Sequence, residues 1–306
     1  MDFRPEGCIF DTALNQHYIS STEGLAEACQ NGAVVEARAA VCNSSHDLVI
    51  ELPCGKGIIP RIEGALGIAE GKTRDIALIS RVNKIVCFKV VEVRTDSNGD
   101  ISAILSRRSA QRQCLDEYIS ELHSGDIIEA KITHHEHFGS FVDIGCGIPS
   151  LIPIDAISVS RISHPSDRFS IGQMIKAVVR SNENGRIFLT HKELLGSWDE
   201  NSAEFRTGET VSGIVRSVED YGIFVELAPN LAGLAEPKDG VRAGQRVSAY
   251  IKAVIPEKMK VKLVIVDTCG ECDQPEPFRY FIDSGHIDRW KYSSDRSSRN
   301  TGTIFA

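Results

Sequence analysis

The chain has 306 residues, 42% of them hydrophobic, which gives room for two or three domains with genuine cores. A formal net charge of −8 argues against holding nucleic acid by bulk electrostatics, because phosphate neutralisation draws on clustered Lys and Arg. Nine cysteines, scattered singly apart from Cys269 and Cys272, argue against a disulfide framework. No apolar run is long enough to span a bilayer, and the opening MDFRPEGCIF lacks the zones of a signal peptide, so the expected location is cytoplasmic.

Residues 1–31 read as an N-terminal extension in which Ser20 with Glu23 forms a capping-box pattern and Asn31-Gly32 a stop, predicting a short helix. Residues 32–108 alternate as a divergent barrel, with GAVVEARAAVC and DLVIEL as early strands and NKIVCFKVVEV and ISAILS as closing ones. In SAQRQCLDEYISELHSG, Leu115, Tyr118, Ile119 and Leu122 fall on one helical face, which predicts a helical joint. A second barrel is expected over 124–195, a helical linker in HKELLGSWDENSAEF, and a third barrel over 207–267. Residues 268–306 are polar and rich in Ser and Arg, and the expectation is a loosely ordered tail.

The second and third barrels repeat one pattern. SGDIIEAKITHHEHFGSFVDI and TGETVSGIVRSVEDYGIFVEL both run from a glycine through an alternating strand to an aromatic-glycine pair and a second alternating strand. Gly125 precedes Phe138 by the spacing that separates Gly208 from Tyr221. Strict alternation sends Ser140, Val142 and Ile144 inward and Phe141 and Asp143 outward; likewise Ile223, Val225 and Leu227 point in, and Phe224 and Glu226 out. Gly222 offers a bulge that would re-aim Tyr221 outward as well. Each copy continues with SLIPI or GLAEP, then a GQ that opens another strand, then a closing strand after a polar turn. Short Val/Ile-rich strands bounded by glycines at such spacing suggest small closed barrels.

These motifs resemble the S1 RNA-binding domain, strongly over 124–195 and 207–267 and more weakly over 32–108. The resemblance implies an all-β chain of tandem five-stranded barrels of the oligonucleotide-binding fold, joined by short helical linkers. In that family the outward aromatics stack on unpaired bases, so Phe138, Phe141, Tyr221 and Phe224 become candidate RNA contacts. A basic residue after the last turn is matched by Arg186 and, with a longer turn, by Lys260. The acidic residue four positions earlier becomes Asn182 and Pro256, and a common histidine becomes Pro153 and Glu236. The first barrel carries His46 and Val49 where the aromatic pair would stand.

The linker LTHKELLGSWDEN looks like the joint between tandem domains of ribosomal S1 proteins. The expectation is a non-enzymatic protein, without cofactor or membrane, that binds single-stranded messenger RNA in translation and contacts the 30S ribosomal subunit through its N-terminal barrel. Two alternatives are an accessory subunit of an RNA-degrading or RNA-processing complex and a protein-interaction module. THHEHFG lacks His-Glu-x-x-His spacing, and Cys269 with Cys272 has the spacing of half a zinc site, with His286 as a third ligand at most; no metal is expected.

Overall fold

The computed structural model describes residues 3–95, 101–183, 186–271 and 277–305. These form two compact units, residues 1–122 with 143–149 and residues 123–142 with 150–306.

The first unit holds helices α1 (Ala13–Ile19) and α2 (Thr22–Gln30), strands β1 (Val34–Cys42), β2 (Leu48–Leu52) and β3 (Gly55–Ile59), helix α3 (Ile76–Ile79), strands β4 (Ile85–Thr95) and β5 (Ile101–Ser106), and helix α4 (Arg107–Glu117). The strands close in the order β1-β2-β3-β5-β4. Their inward alternates, among them Val35, Ala37, Leu48, Ile50, Phe88 and Leu105, make the core, and Leu25 and Ala28 of α2 join it. The cap of α2 is Ser21, whose hydroxyl accepts from the Gly24 N–H at 3.0 Å, whereas Ser20 ends α1, a helix the sequence pattern did not separate.

Asp143, expected on the wet face beside Phe141, is only 4% exposed. Its carboxylate accepts from the backbone N–H groups of Glu6, Gly145 and Gly147 at 2.7, 2.9 and 3.0 Å. Burial and the neighbouring Glu6 charge still raise it to about 6. Glu6 in turn accepts from the buried Arg107 guanidinium at 2.7 Å, which ties the N-terminal segment to α4.

The second unit carries strands β6 (Ile127–Glu136), β7 (Gly139–Asp143), β8 (Pro149–Pro153), β9 (Met174–Glu183) and β10 (Arg186–Thr190), then helix α5 (Trp198–Ser202). Strands β11 (Thr210–Glu219), β12 (Gly222–Ala228), β13 (Leu231–Ala235), β14 (Gln245–Ile255) and β15 (Lys260–Glu271) follow, and the hairpin β16 (Arg289–Lys291) and β17 (Gly302–Ile304) ends it. Barrels two and three close in the orders β6-β7-β8-β10-β9 and β11-β12-β13-β15-β14, the connectivity of barrel one. The described residues thus form three closed five-stranded barrels of one topology, an all-β fold with few helices. Val142, Val225 and Ile223 are fully buried, as alternation requires.

Glu226 departs from the pattern. Expected outward beside Phe224, it is 5% exposed; the register slips between Glu226 and Ala228, and Leu227, half-buried, still packs against the barrel core as alternation expects. The Glu226 carboxylate receives two bonds from Arg168 of barrel two, both 2.7 Å, and two from Arg216 of barrel three at 2.9 and 3.0 Å. Burial opposes its charge, but the two guanidiniums prevail and hold the carboxyl below its usual range. Beside it the fully buried Asn230 accepts from the Val159 N–H at 2.9 Å and donates to the carbonyls of Lys192 and Gly196. Trp198 of the linker packs into the core of barrel three.

The C-terminal segment is not loose where it is described. Phe278 and Tyr280 pack edge-on to the buried His191 ring, and Trp290 and Phe305 join Val178, Leu194 and Ile287 in one apolar cluster. Aromatic anchors spaced through a polar sequence thus dock it on barrel two and the linker. Cys272 lies outside the described residues; Cys269 is exposed, and His286 bonds Asp126 at 2.7 Å.

Two measurements follow from these buried groups. Glu226→Gln leaves two buried guanidiniums facing a neutral amide, and equilibrium denaturation should show a loss of about 3–5 kcal/mol, the range for breaking a buried ion pair on one side. His191 is wholly buried, with Nδ1 3.0 Å from the Ile157 carbonyl oxygen and Nε2 3.2 Å from the Tyr280 hydroxyl, and burial lowers the imidazole to about 4. The unfolded chain therefore binds the extra proton first as pH falls below the free-histidine value. Stability is full above pH ~6.5 and declines towards pH 4 by about 3 kcal/mol from this group. Denaturation at a series of pH values should show that decline, and His191→Gln should flatten it.

Candidate nucleic-acid interface

Both candidate aromatic pairs sit at the same place in their barrels. Phe138 occupies the turn between β6 and β7, and Tyr221 the turn between β11 and β12; they are 56% and 68% exposed. Gly222 is paired with Glu219 at the base of its hairpin, so Tyr221 is presented by the turn; the register slip lies on β11, between Val215 and Ser217. The glycine after each aromatic has a steric cause. A Cβ on Gly139 would stand 2.4 Å from the Ile152 carbonyl oxygen, and one on Gly222 2.7 Å from that of Ala235, so only a bare backbone lets the third strand approach.

The second aromatic of each pair, Phe141 and Phe224, is half-buried on the outer face, opposite the buried Val142 and Val225. Ring centroids of Phe138 and Phe141 are 6.1 Å apart at 83°, and those of Tyr221 and Phe224 are 6.2 Å apart at 87°. Two copies with different sequences thus hold the same edge-to-face pair on the outer face, the kind of aromatic surface on which flat, unpaired bases can stack.

Sequence pattern missed several neighbours. His134 stacks on Phe141 at 4.5 Å and 7°, a flat extension that barrel three lacks, since Ser217 faces Phe224 there. Phe188 pairs with Leu151 and alternates with the buried Ile187 and Leu189, so it shares the outer face with Arg186. In barrel three the register runs Phe224, Leu234, Lys262 across β12, β13 and β15, which puts Lys262 where barrel two has Phe188. Alternation from Arg186 and from Lys260 carried the signal for Phe188 and Lys262.

The basic candidates, Arg186 and Lys260, are both exposed at the start of their last strands. Arg186 pairs across the hairpin with Glu183, whose charge offsets part of its own. Asn182 pairs with Ile187, and directly paired residues share a face, so it stands on the other side of the hairpin from Arg186 and is not brought to it. Glu236, at the substituted histidine position, bonds Lys252 at 3.1 Å, which tempers the carboxylate. The histidines of THHEHFG serve the fold and this face: His135 meets the Ser140 hydroxyl at 2.9 Å, and His137 contacts the His164 ring edge-on at 5.3 Å.

In barrel one the same outer row is aliphatic. Val41, Val49, Ile58 and Ile104 are successive partners across β1, β2, β3 and β5, with no aromatic ring among them.

Residues 121–192 match the family model of the S1 RNA binding domain. The chain is 36% identical over 124 residues to a small ribosomal subunit protein bS1 homolog of Bacillus subtilis, covering 38% of this chain and 31% of that protein. It is 32% identical over 120 residues to protein bS1 of Staphylococcus saprophyticus, covering 37% and 30%, and 29% identical over 160 residues to that of Leuconostoc lactis, covering 50% and 35%. The chain thus spans about a third of the length of these curated relatives. The match falls on the second of three barrels of one topology, and that stretch is similar to the S1 RNA binding domain.

Proposed function

We propose that this chain is a non-catalytic protein that binds single-stranded messenger RNA through its second and third barrels, in the cytoplasm and during translation on the small ribosomal subunit. The observation that carries this reading is the repeated edge-to-face pair, Phe138 with Phe141 and Tyr221 with Phe224, each beside an exposed cation on the closing strand, Arg186 or Lys260. Stacking is worth roughly 1–3 kcal/mol per base and is indifferent to sequence, so it suits a chain of negative net charge better than phosphate neutralisation would. Relatives named as ribosomal proteins support the ribosomal setting. Among the described residues no helix is long and apolar enough to cross a membrane.

The first barrel has a separate role in this reading. Its aliphatic row of Val41, Val49, Ile58 and Ile104 offers no ring for a base, and the barrel makes the protein contact with the 30S subunit instead.

Phe141→Ala and Phe224→Ala should each weaken single-stranded RNA binding by about 1–3 kcal/mol in a fluorescence titration of the full chain, without changing the salt dependence, because every phosphate keeps its cation. Val142→Ala and Val225→Ala, one position along on the buried face, should instead lower the melting temperature and spare the affinity of the folded protein. Phenylalanine variants that unfold the chain while keeping its affinity would refute the interface.

A further inference from the structure

A cavity of about 510 Å³ lies within the second unit, away from both aromatic pairs. Its walls come from the turn after β8, the loop that follows it, the turn after β10, the β14–β15 turn and the C-terminal hairpin. The volume is within the roughly 300–1,000 Å³ typical of small-molecule sites. Its charged lining is three cations, Arg161, Lys192 and Arg299, against one carboxylate, Asp155. In a chain of net charge −8 this is a local reversal of sign.

The cations are not consumed by the fold. Arg161 and Arg299 are exposed and have no ion-pair partner among the described residues. Lys192 donates to the backbone carbonyl of Asp155 at 3.2 Å, which leaves its charge unneutralised. Trp290, 7% exposed, also lines the cavity, and its indole N–H has no acceptor among the described residues. A positively lined space beside an unspent buried donor suits an acidic ligand with oxygen acceptors.

The cavity is joined by backbone to both candidate interfaces. Ile154 of its wall donates its N–H to the Phe138 carbonyl at 2.9 Å, and Met259 of its wall immediately precedes Lys260. We propose that this cavity is a nucleotide-phosphate site, in which Arg161, Lys192 and Arg299 hold a phosphate of the RNA strand as it passes from barrel two to barrel three. The inference rests on the RNA-binding reading above and adds to it a site that no aromatic supplies. The phosphate is carried either by the strand or by a free nucleotide, and the arms of the test separate these sources.

The test uses the full chain, single-stranded RNA long enough to reach both barrels, and adenosine monophosphate as the free-nucleotide probe. Arg161→Ala with Arg299→Ala should weaken RNA binding and lower the slope of log affinity against log salt by about 0.7 for each phosphate no longer neutralised. Arg161→Lys with Arg299→Lys, which keeps the charge, should restore most of the slope. If adenosine monophosphate displaces RNA from the parent and not from the alanine variant, the seat accepts a free nucleotide; if it does not compete, the phosphate belongs to the strand, and either result upholds the site. An unchanged slope and affinity in the alanine variant, with RNA still bound and still weakened by Phe141→Ala, would overturn the site and leave the RNA reading intact. Absence of all RNA binding in the parent would overturn both.

Discussion

One buried carboxylate organises the second unit. Glu226 belongs to the third barrel, yet half of its bonds come from Arg168 in the long connection of the second. Its planar oxygens take two parallel N–H bonds from each of two guanidiniums, a geometry that is directional as well as strong. Removing three charges from water is costly, and an apolar contact of similar size would serve stability as well. The ionic arrangement supplies orientation: the forks accept one angle between the barrels and leave a charge unmatched at any other. Asn230, fully bonded beside it, fixes the linker in the same way.

On the proposed reading, that fixed angle would turn two weak surfaces into one. Each barrel offers a pair of rings and an exposed cation, a modest interface by itself. A strand stacked on one pair would then be delivered to the other at a high effective concentration, without loss of freedom in a flexible linker. The cavity walled by Lys192 and Met259 exists only because both barrels and the C-terminal hairpin are held together.

The repeat, the barrels and the aromatic pairs were legible because each depends on local chemistry: alternation sets the faces, and the glycine after each aromatic is dictated by the close third strand. Asp143 and Glu226 were misread for one shared reason. Alternation separates the two faces of a strand but does not say which outer positions another element will cover, and both carboxylates are covered. The C-terminal segment was misread through composition, since its Ser and Arg content hides Phe278, Tyr280, Trp290 and Phe305, each placed to dock. Asn182 was carried over by position, and its cross-strand partner Ile187 turns it away from Arg186. The covering partners Glu6, Arg168 and His191 lie far away in the sequence and leave no period in it.

Barrels two and three also differ in a way that only register reveals. Barrel two extends its aromatic pair with His134 on one side and Phe188 on the other, whereas the corresponding positions of barrel three hold Ser217 and Lys262. On the proposed reading the first surface would work by stacking, which salt hardly touches, and the second would lean on charge, which salt screens. As ionic strength rises, the grip proposed for the third barrel would then weaken first while the second held the strand. On that reading the chain would loosen one end of an RNA without releasing it, an asymmetry that arises from two substitutions on an otherwise repeated face.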